Sequence, residues 1–193
     1  MKVLRFSDLV DVPWKNAGGT TREIATGVVE DTAAWRISRA DVAQDGAFSN
    51  FAGLVRVLTV VSQNTMTLEH ADGTLTAAPW KPVRFDGGIA ITSHLHDGPL
   101  TDLNLMFDPQ HCAGTVTTLH TPVAQTLQRP AQGILAYHVL SGTPNLGELS
   151  LSTGDTAFVE TPAASLVLRN SDAVLEIRLV YHNDAIKLRI ASR

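Results

Sequence analysis

At 193 residues, 44% of them apolar and 18% charged, the chain can bury a substantial core and is too hydrophobic for a disordered polymer. Its formal net charge of −4, with the basic residues scattered, leaves no broad positive surface for a phosphate backbone, so direct binding to nucleic acid is not expected. A single cysteine, Cys112, rules out an intrachain disulfide, Arg5 and Asp8 break up the N-terminal residues, and no apolar run spans a bilayer; the chain reads as cytoplasmic, without a membrane partner.

The first distinctive stretch is Pro13-Trp14-Lys15-Asn16-Ala17-Gly18-Gly19-Thr20-Thr21-Arg22-Glu23, which crowds a rigid φ, an indole, a cation, an amide and two glycines around one bend. Gly18 and Gly19 offer positive φ or a close backbone approach. A strand is predicted over 20–27, with Thr20, Arg22 and Ile24 on one side and Thr21, Glu23 and Ala25 on the other. After a turn over 31–34 comes a second strand over 35–42, where Arg36, Ser38 and Ala40 oppose Trp35, Ile37 and Arg39. Asp45-Gly46 and residues 50–53 are loop punctuation, and helical turns fit only near 6–10 or 48–51.

Residues 54–62 form a nearly continuous Val and Leu run that contains Arg56. Short strands over 65–69, 81–85, 89–93 and 101–107 follow, separated by Asp72-Gly73, Gly87-Gly88 and Asp97-Gly98-Pro99. The stretch 109–130 is polar and reads as the connection between two halves. Strands then recur over 134–140, 148–153, 157–160, 165–169 and 174–181, with turns that include Thr161-Pro162. The expected fold class is all-β, in two halves, 1–109 and 110–193. The short basic ending, Lys187, Arg189 and Arg193, reads as a solvated tail.

Several chemistries lack their residues. His94-Leu95-His96 has the spacing of a metal-binding pair on a strand, but no Glu follows it, and the remaining histidines are isolated; no metal and no cofactor are expected. There is no Gly-x-Ser-x-Gly elbow, no cysteine motif, and no phosphate loop between a strand and a helix. What remains is a polar constellation. On 101–107, Asp102, Asn104 and Met106 share a face opposite Leu103, Leu105 and Phe107. Arg56, set among Leu54, Leu58 and Val60, needs an acidic partner or an anionic ligand, and Asp102 is one candidate partner. With Arg36 and Ser38, and with Lys15, Asn16, Thr20 and Arg22 from the opening stretch, these residues make a donor-rich wall that suits a small carboxylate. Trp14 is a candidate wall residue; Trp35 and Trp80 read as packing. The alternative is a purely architectural Arg56–Asp102 ion pair.

The opening stretch resembles the signature of the HutD/Ves family of bacterial proteins. Three further blocks extend the resemblance: Trp35-Arg36-Ile37-Ser38-Arg39-Ala40-Asp41-Val42; Asp45-Gly46-Ala47-Phe48-Ser49-Asn50-Phe51-Ala52-Gly53 with Arg56; and Gly98-Pro99-Leu100-Thr101-Asp102-Leu103-Asn104-Leu105-Met106. Departures are Ala17 for a third glycine, Val55 for the usual Asp, and Phe107-Asp108 for basic residues. In the second half, the run Gly147-Glu148-Leu149-Ser150-Leu151-Ser152-Thr153-Gly154-Asp155-Thr156 resembles the cupin strand-and-corner phrase. The resemblance implies two RmlC-like cupin jelly rolls, a link to histidine utilisation, and a ligand site to which Ser49 also belongs. The resulting expectation is a non-catalytic regulator that binds a small anionic metabolite, such as urocanate or an N-formyl or formimino glutamate, and that is compatible with a homodimer. Two alternatives stand beside it: a metal-independent cupin enzyme with Asp102 as base, and an interaction module whose pocket has lost its use.

Overall fold

Alternating β-branched, aromatic and polar residues, interrupted by turn residues, produce strands almost throughout. The computed structural model describes residues 1–160 and 165–191, and within them the one helical element is a 3-10 turn at Phe6–Asp8. The segment 48–51 is not helical. The Thr161-Pro162 turn and Arg193 lie outside the described residues. No helix among the described residues is long and apolar enough to cross a membrane.

The first half pairs a seven-stranded sheet with a four-stranded one. The larger runs Val12–Pro13, Gly19–Val29, Thr32–Val42, Leu100–Phe107, Val55–Val60 and Val83–Asp86, with Lys187–Ile190 also pairing to Gly19–Val29. The smaller runs Gly46–Ala47, Thr92–His96, Thr65–His70 and Gly73–Ala77. Between the two lie Val42, Leu58, Val60, Met66, Leu68, Phe85 and Leu100. In the second half, the larger sheet runs Lys2–Leu4, Thr156–Phe158, Gly133–Ser141, Ala173–Tyr181 and Cys112–Leu119. The smaller one runs Val123–Thr126, Ser165–Leu168, Asn145–Leu146 and Leu149–Ser150. Leu135, Tyr137, Val139, Leu146, Leu151 and Leu166 fill the space between them.

The two large sheets pack back to back. Trp35, Ile37, Leu103, Leu105 and Phe107 from one meet Ile134, Ala136, Phe158, Leu175, Ile177 and Leu179 from the other, with Cys112 among them. That placement leaves the thiol fully buried, and burial pushes its pKa up to about 12, so Cys112 is a packing residue with no nucleophilic character. Trp35 is part of this layer and Trp80 packs against it.

Several stretches differ from expectation: the basic ending, read as a solvated tail, pairs as the strand Lys187–Ile190, and the strand expected over 89–93 lies at Thr92–His96 because Gly87-Gly88 extends its turn to residue 89. The turn at 31–34 shrinks to Glu30-Asp31, both at positive φ, because Val29 already pairs with Thr32 across a two-residue hairpin. The stretch 109–130, expected as a polar connection, holds the strands Cys112–Leu119 and Val123–Thr126. Cys112–Leu119 escapes pattern reading because its inward residues are small: a Cβ on Gly114 would sit 2.8 Å from the Phe107 ring, so no large apolar side chain fits there. Two terminal strands also cross the division drawn after residue 109. Lys2–Leu4 joins the sheet of the second half, and Lys187–Ile190 joins that of the first.

Candidate functional site

Three adjacent strands of the first half form the floor of a cavity. Antiparallel register sets their inward residues in rows: Arg36, Met106 and Arg56; Ser38, Asn104 and Leu58; Ala40, Asp102 and Val60. Residues directly opposite one another in an antiparallel pair share a face, so alternation along each strand carries these side chains into the first half and Trp35, Ile37, Leu103 and Leu105 out toward the second. Above the floor is a cavity of about 510 Å³, large enough for a small metabolite.

The opening stretch makes one wall. The Trp14 N–H donates to the Gly19 carbonyl (2.9 Å) and its indole Nε1 to Thr21 Oγ1 (2.7 Å), while Asn16 Oδ1 accepts from the Gly18 N–H (3.0 Å). Gly19 is required by a close approach: a Cβ there would lie 2.3 Å from the Asp41 carbonyl oxygen. The positive φ of the bend falls on Ala17 (φ 56) and not on Gly18 or Gly19. A family glycine at that position therefore has a direct backbone reason. Lys15 stands exposed at the rim of the cavity.

The other wall is the loop that carries Phe48, Ser49 and Phe51. Its backbone is fastened to the neighbouring turn, with the Phe51 N–H on the Gly87 carbonyl (2.7 Å) and Asn50 Nδ2 on the Gly88 carbonyl (2.7 Å). The guanidinium of Arg56 sits 4.5 Å from the Phe48 ring centroid and 5.6 Å from that of Phe85. These cation–π contacts hold a buried charge without neutralising it.

Arg56 is 7% exposed and has no carboxylate partner among the described residues. Its Nε donates to Asn104 Oδ1 (2.8 Å), which orients the amide so that Asn104 Nδ2 donates to Asp102 Oδ1 (2.5 Å). The direct Arg56–Asp102 pair expected from sequence is thus replaced by a relay through Asn104, because the arginine enters from the Met106 row, four residues along the strand from Asp102. Both Nη groups of Arg56 make no hydrogen bond to any described residue, and Asp102 Oδ2 is buried without a partner among them. Burial lowers the Arg56 pKa to about 10, Arg36 adding to the effect and Asp102 opposing it, so the guanidinium is charged at neutral pH. Burial likewise raises the Asp102 carboxyl to about 6; the Arg56 charge and the Asn104 bond only partly counter it.

Of the residues singled out from sequence, Trp14, Lys15, Asn16, Arg36, Ser38, Ser49, Arg56, Asp102 and Asn104 line this cavity. Thr20 and Arg22 do not. Thr21 pairs with Ala40 and Glu23 with Ser38, so the odd residues face the cavity. Arg22 instead turns outward to Asp11 (2.6 Å) and Asp41, and Glu23 holds Arg36 at the rim (3.1 Å). Sequence reading overlooked Thr21, Phe48 and Phe51 and placed Met106 on the cavity face without counting it in the site; the pairing of Gly19–Val29 with Ala40 and Ser38 is the signal that finds Thr21.

His94 and His96 lie on the outer sheet, His94 between Glu69 (2.9 Å) and Asp45 (3.3 Å) and His96 against Thr67 (2.7 Å). No group of three or more His, Cys, Asp or Glu residues among the described residues is arranged to hold a metal ion. His138 is buried between the halves against Thr156 Oγ1 (2.9 Å), and burial drives its pKa down to about 3.

Against known proteins, the model of the HutD family matches residues 6–175. A Pseudomonas putida protein described as an uncharacterised 21.2 kDa protein in the hutC 3' region is 37% identical over 114 residues, 57% of this chain. The match spans 60% of that relative's length. The solved structure of HutD from Pseudomonas fluorescens SBW25 superposes with a TM-score of 0.81 at 28% identity, covering 94% of this chain and 99% of that one. The Escherichia coli pirin YhhW, solved with nickel(II), gives 0.69 at 10% identity over 91% of this chain and 97% of its own, a likeness of cupin fold alone.

Proposed function

This chain belongs to the HutD family, and we propose that it is a non-catalytic binding protein that regulates histidine utilisation by sensing a small carboxylate, of the urocanate or N-formyl- or formimino-glutamate class. One observation carries this reading. Arg56 is buried and charged, with only Nε bonded to the described residues, and it lines a metabolite-sized cavity with its two Nη groups unbonded among them. An architectural arginine would be paired with a carboxylate; one held on two phenylalanine rings and a neutral amide is kept for an external anion. Arg36 and Lys15 on the same cavity add positive charge that favours an acid over a neutral ligand. The location of the Pseudomonas putida relative beside hutC supports the choice of pathway.

A second reading has its own observation. Asp102, raised to about 6 with one free oxygen, has the properties of a general base, so an enzyme acting on a similar acid is the rival.

Calorimetric titration with urocanate, N-formyl-L-glutamate and formiminoglutamate tests the proposal. At least one acid should bind saturably and be recovered unchanged, and Arg56→Met should weaken it about ten- to a hundredfold, or about 1.5–3 kcal/mol. Conversion of the acid favours the enzyme. Affinity that survives Arg56→Met, or no binding of any acid, rejects the site.

A further inference from the structure

Resting on that reading, we infer that Asp102 determines the specificity of this cavity: its unpartnered oxygen accepts a hydrogen bond from the ligand, so the ligand is a small carboxylate that also carries an N–H or O–H donor. Asp102 is 1% exposed yet lines the cavity. Oδ1 is occupied by Asn104 Nδ2, and Oδ2 has no partner among the described residues. On either side, in the adjacent strands, stand Ala40 and Val60, neither of which has a side-chain donor. Of the charged groups that act on it, Arg56 is held off by the intervening amide, while Arg39 and Asp41 are on neighbouring or opposite-facing positions of the next strand and form no bond to it.

A buried carboxylate oxygen without a donor is costly, and a protein keeps one where something else supplies the donor. Here the missing donor and the missing acceptor occur together. Arg56 lacks an acceptor for its two Nη groups, Asp102 lacks a donor for Oδ2, and Asn104 bonds to both residues between them. A small molecule with a carboxylate at one end and a neutral donor further along satisfies both deficits in the same space. A plain carboxylic acid satisfies only the first and leaves Oδ2 buried and unmatched. A site built to bond a ligand group rejects the analogue that lacks it more strongly than an apolar site rejects an extra one.

Paired probes test this. Urocanate is compared with 3-(2-furyl)acrylate, and N-formyl-L-glutamate with its N-methyl derivative, each twin keeping the carboxylate and losing the N–H. For whichever pair binds, the wild type should favour the donor-bearing twin by roughly tenfold or more. Asp102→Asn, which keeps the shape and presents an amide donor toward the cavity, should fold and lose that preference, and Arg56→Met should weaken both twins alike. Equal affinities in the wild type, or a preference that persists in Asp102→Asn, overturn the inference while leaving the carboxylate site intact. If no twin of either pair binds the wild type, the carboxylate site fails, and this inference fails with it.

Discussion

The two halves of the chain share an architecture and differ in how they treat buried polar groups. On the inward face of Gly133–Ser141 the second half places Leu135, Tyr137 and Val139, and they close up against Leu146, Leu151 and Leu166. Its buried carboxylates are fully employed. Asp155 receives the Phe6 and Ser152 N–H groups and Arg5, and Asp172 receives the Thr143 and Arg169 N–H groups. In the first half the inward face of Leu100–Phe107 carries Asp102, Asn104 and Met106, and there an acceptor and a pair of donors stay unmatched among the described residues beside open space. One sandwich matches its buried carboxylates internally, and the other leaves buried polar groups unmatched among the described residues. The proposed binding role of the first half rests on these unmatched buried groups more than on the cavity itself.

Breaking the supporting half should therefore cost stability and spare the site. Leu146→Ala, at a fully buried position in the second half, should destabilise the fold by about 2–5 kcal/mol in denaturant melts, with carboxylate affinity in the folded protein unchanged. A matched loss of affinity would mean that the halves are energetically one unit.

Asp102→Asn sharpens the comparison from the other side, because it should stabilise the unliganded protein. The Asp102 pKa is raised from 3.8 to about 6 in the fold, so between those values the native state binds more protons than the unfolded chain. Its contribution is fully present below about pH 4, is lost as pH rises through about 6, and is flat above, a loss of roughly 3 kcal/mol. Subtracting the pH–stability curve of Asp102→Asn from that of the wild type should isolate this step; a featureless difference would show that Asp102 ionises freely. The smallest expected effect is at the bend. Ala17→Gly relieves a φ of 56 and should raise stability by no more than about 1 kcal/mol, read as a small upward shift in Tm.

Much of the fold and most of the site were legible in the sequence where strict alternation met a buried face. Arg36, Ser38, Asp102 and Asn104 could be placed on inward faces because Trp35, Ile37, Leu103 and Leu105 beside them had to be core. The opening strand lacked such an anchor. Thr20, Thr21, Arg22 and Glu23 are all polar, so its phase came only from pairing, and the register shift between Glu23 and Ala25 breaks the alternation beyond it. Arg56 was recognised as a charge in need of a partner, but the Asn104 relay depends on which row each side chain enters from, and one strand read alone does not contain that. Cys112–Leu119 passed for a connection because the space against Phe107 admits only small residues.

The exchanged terminal strands give the first half an unusual birth order. Gly19–Val29 supplies Thr21 to the cavity wall where it pairs with Val12–Pro13, and further along the same strand, at Ala25–Val28, its outer neighbour is Lys187–Ile190, the strand synthesised after all the other described strands. Until then that stretch of Gly19–Val29 is an uncovered edge, the kind that invites pairing with another chain, and closing it requires a contact across nearly the whole sequence. Meanwhile Lys2–Leu4, made first, waits for Thr156–Phe158. Each half thus takes one edge strand from the far end of the sequence, so the strand that carries Thr21 gains its last neighbour only after the second half has been made.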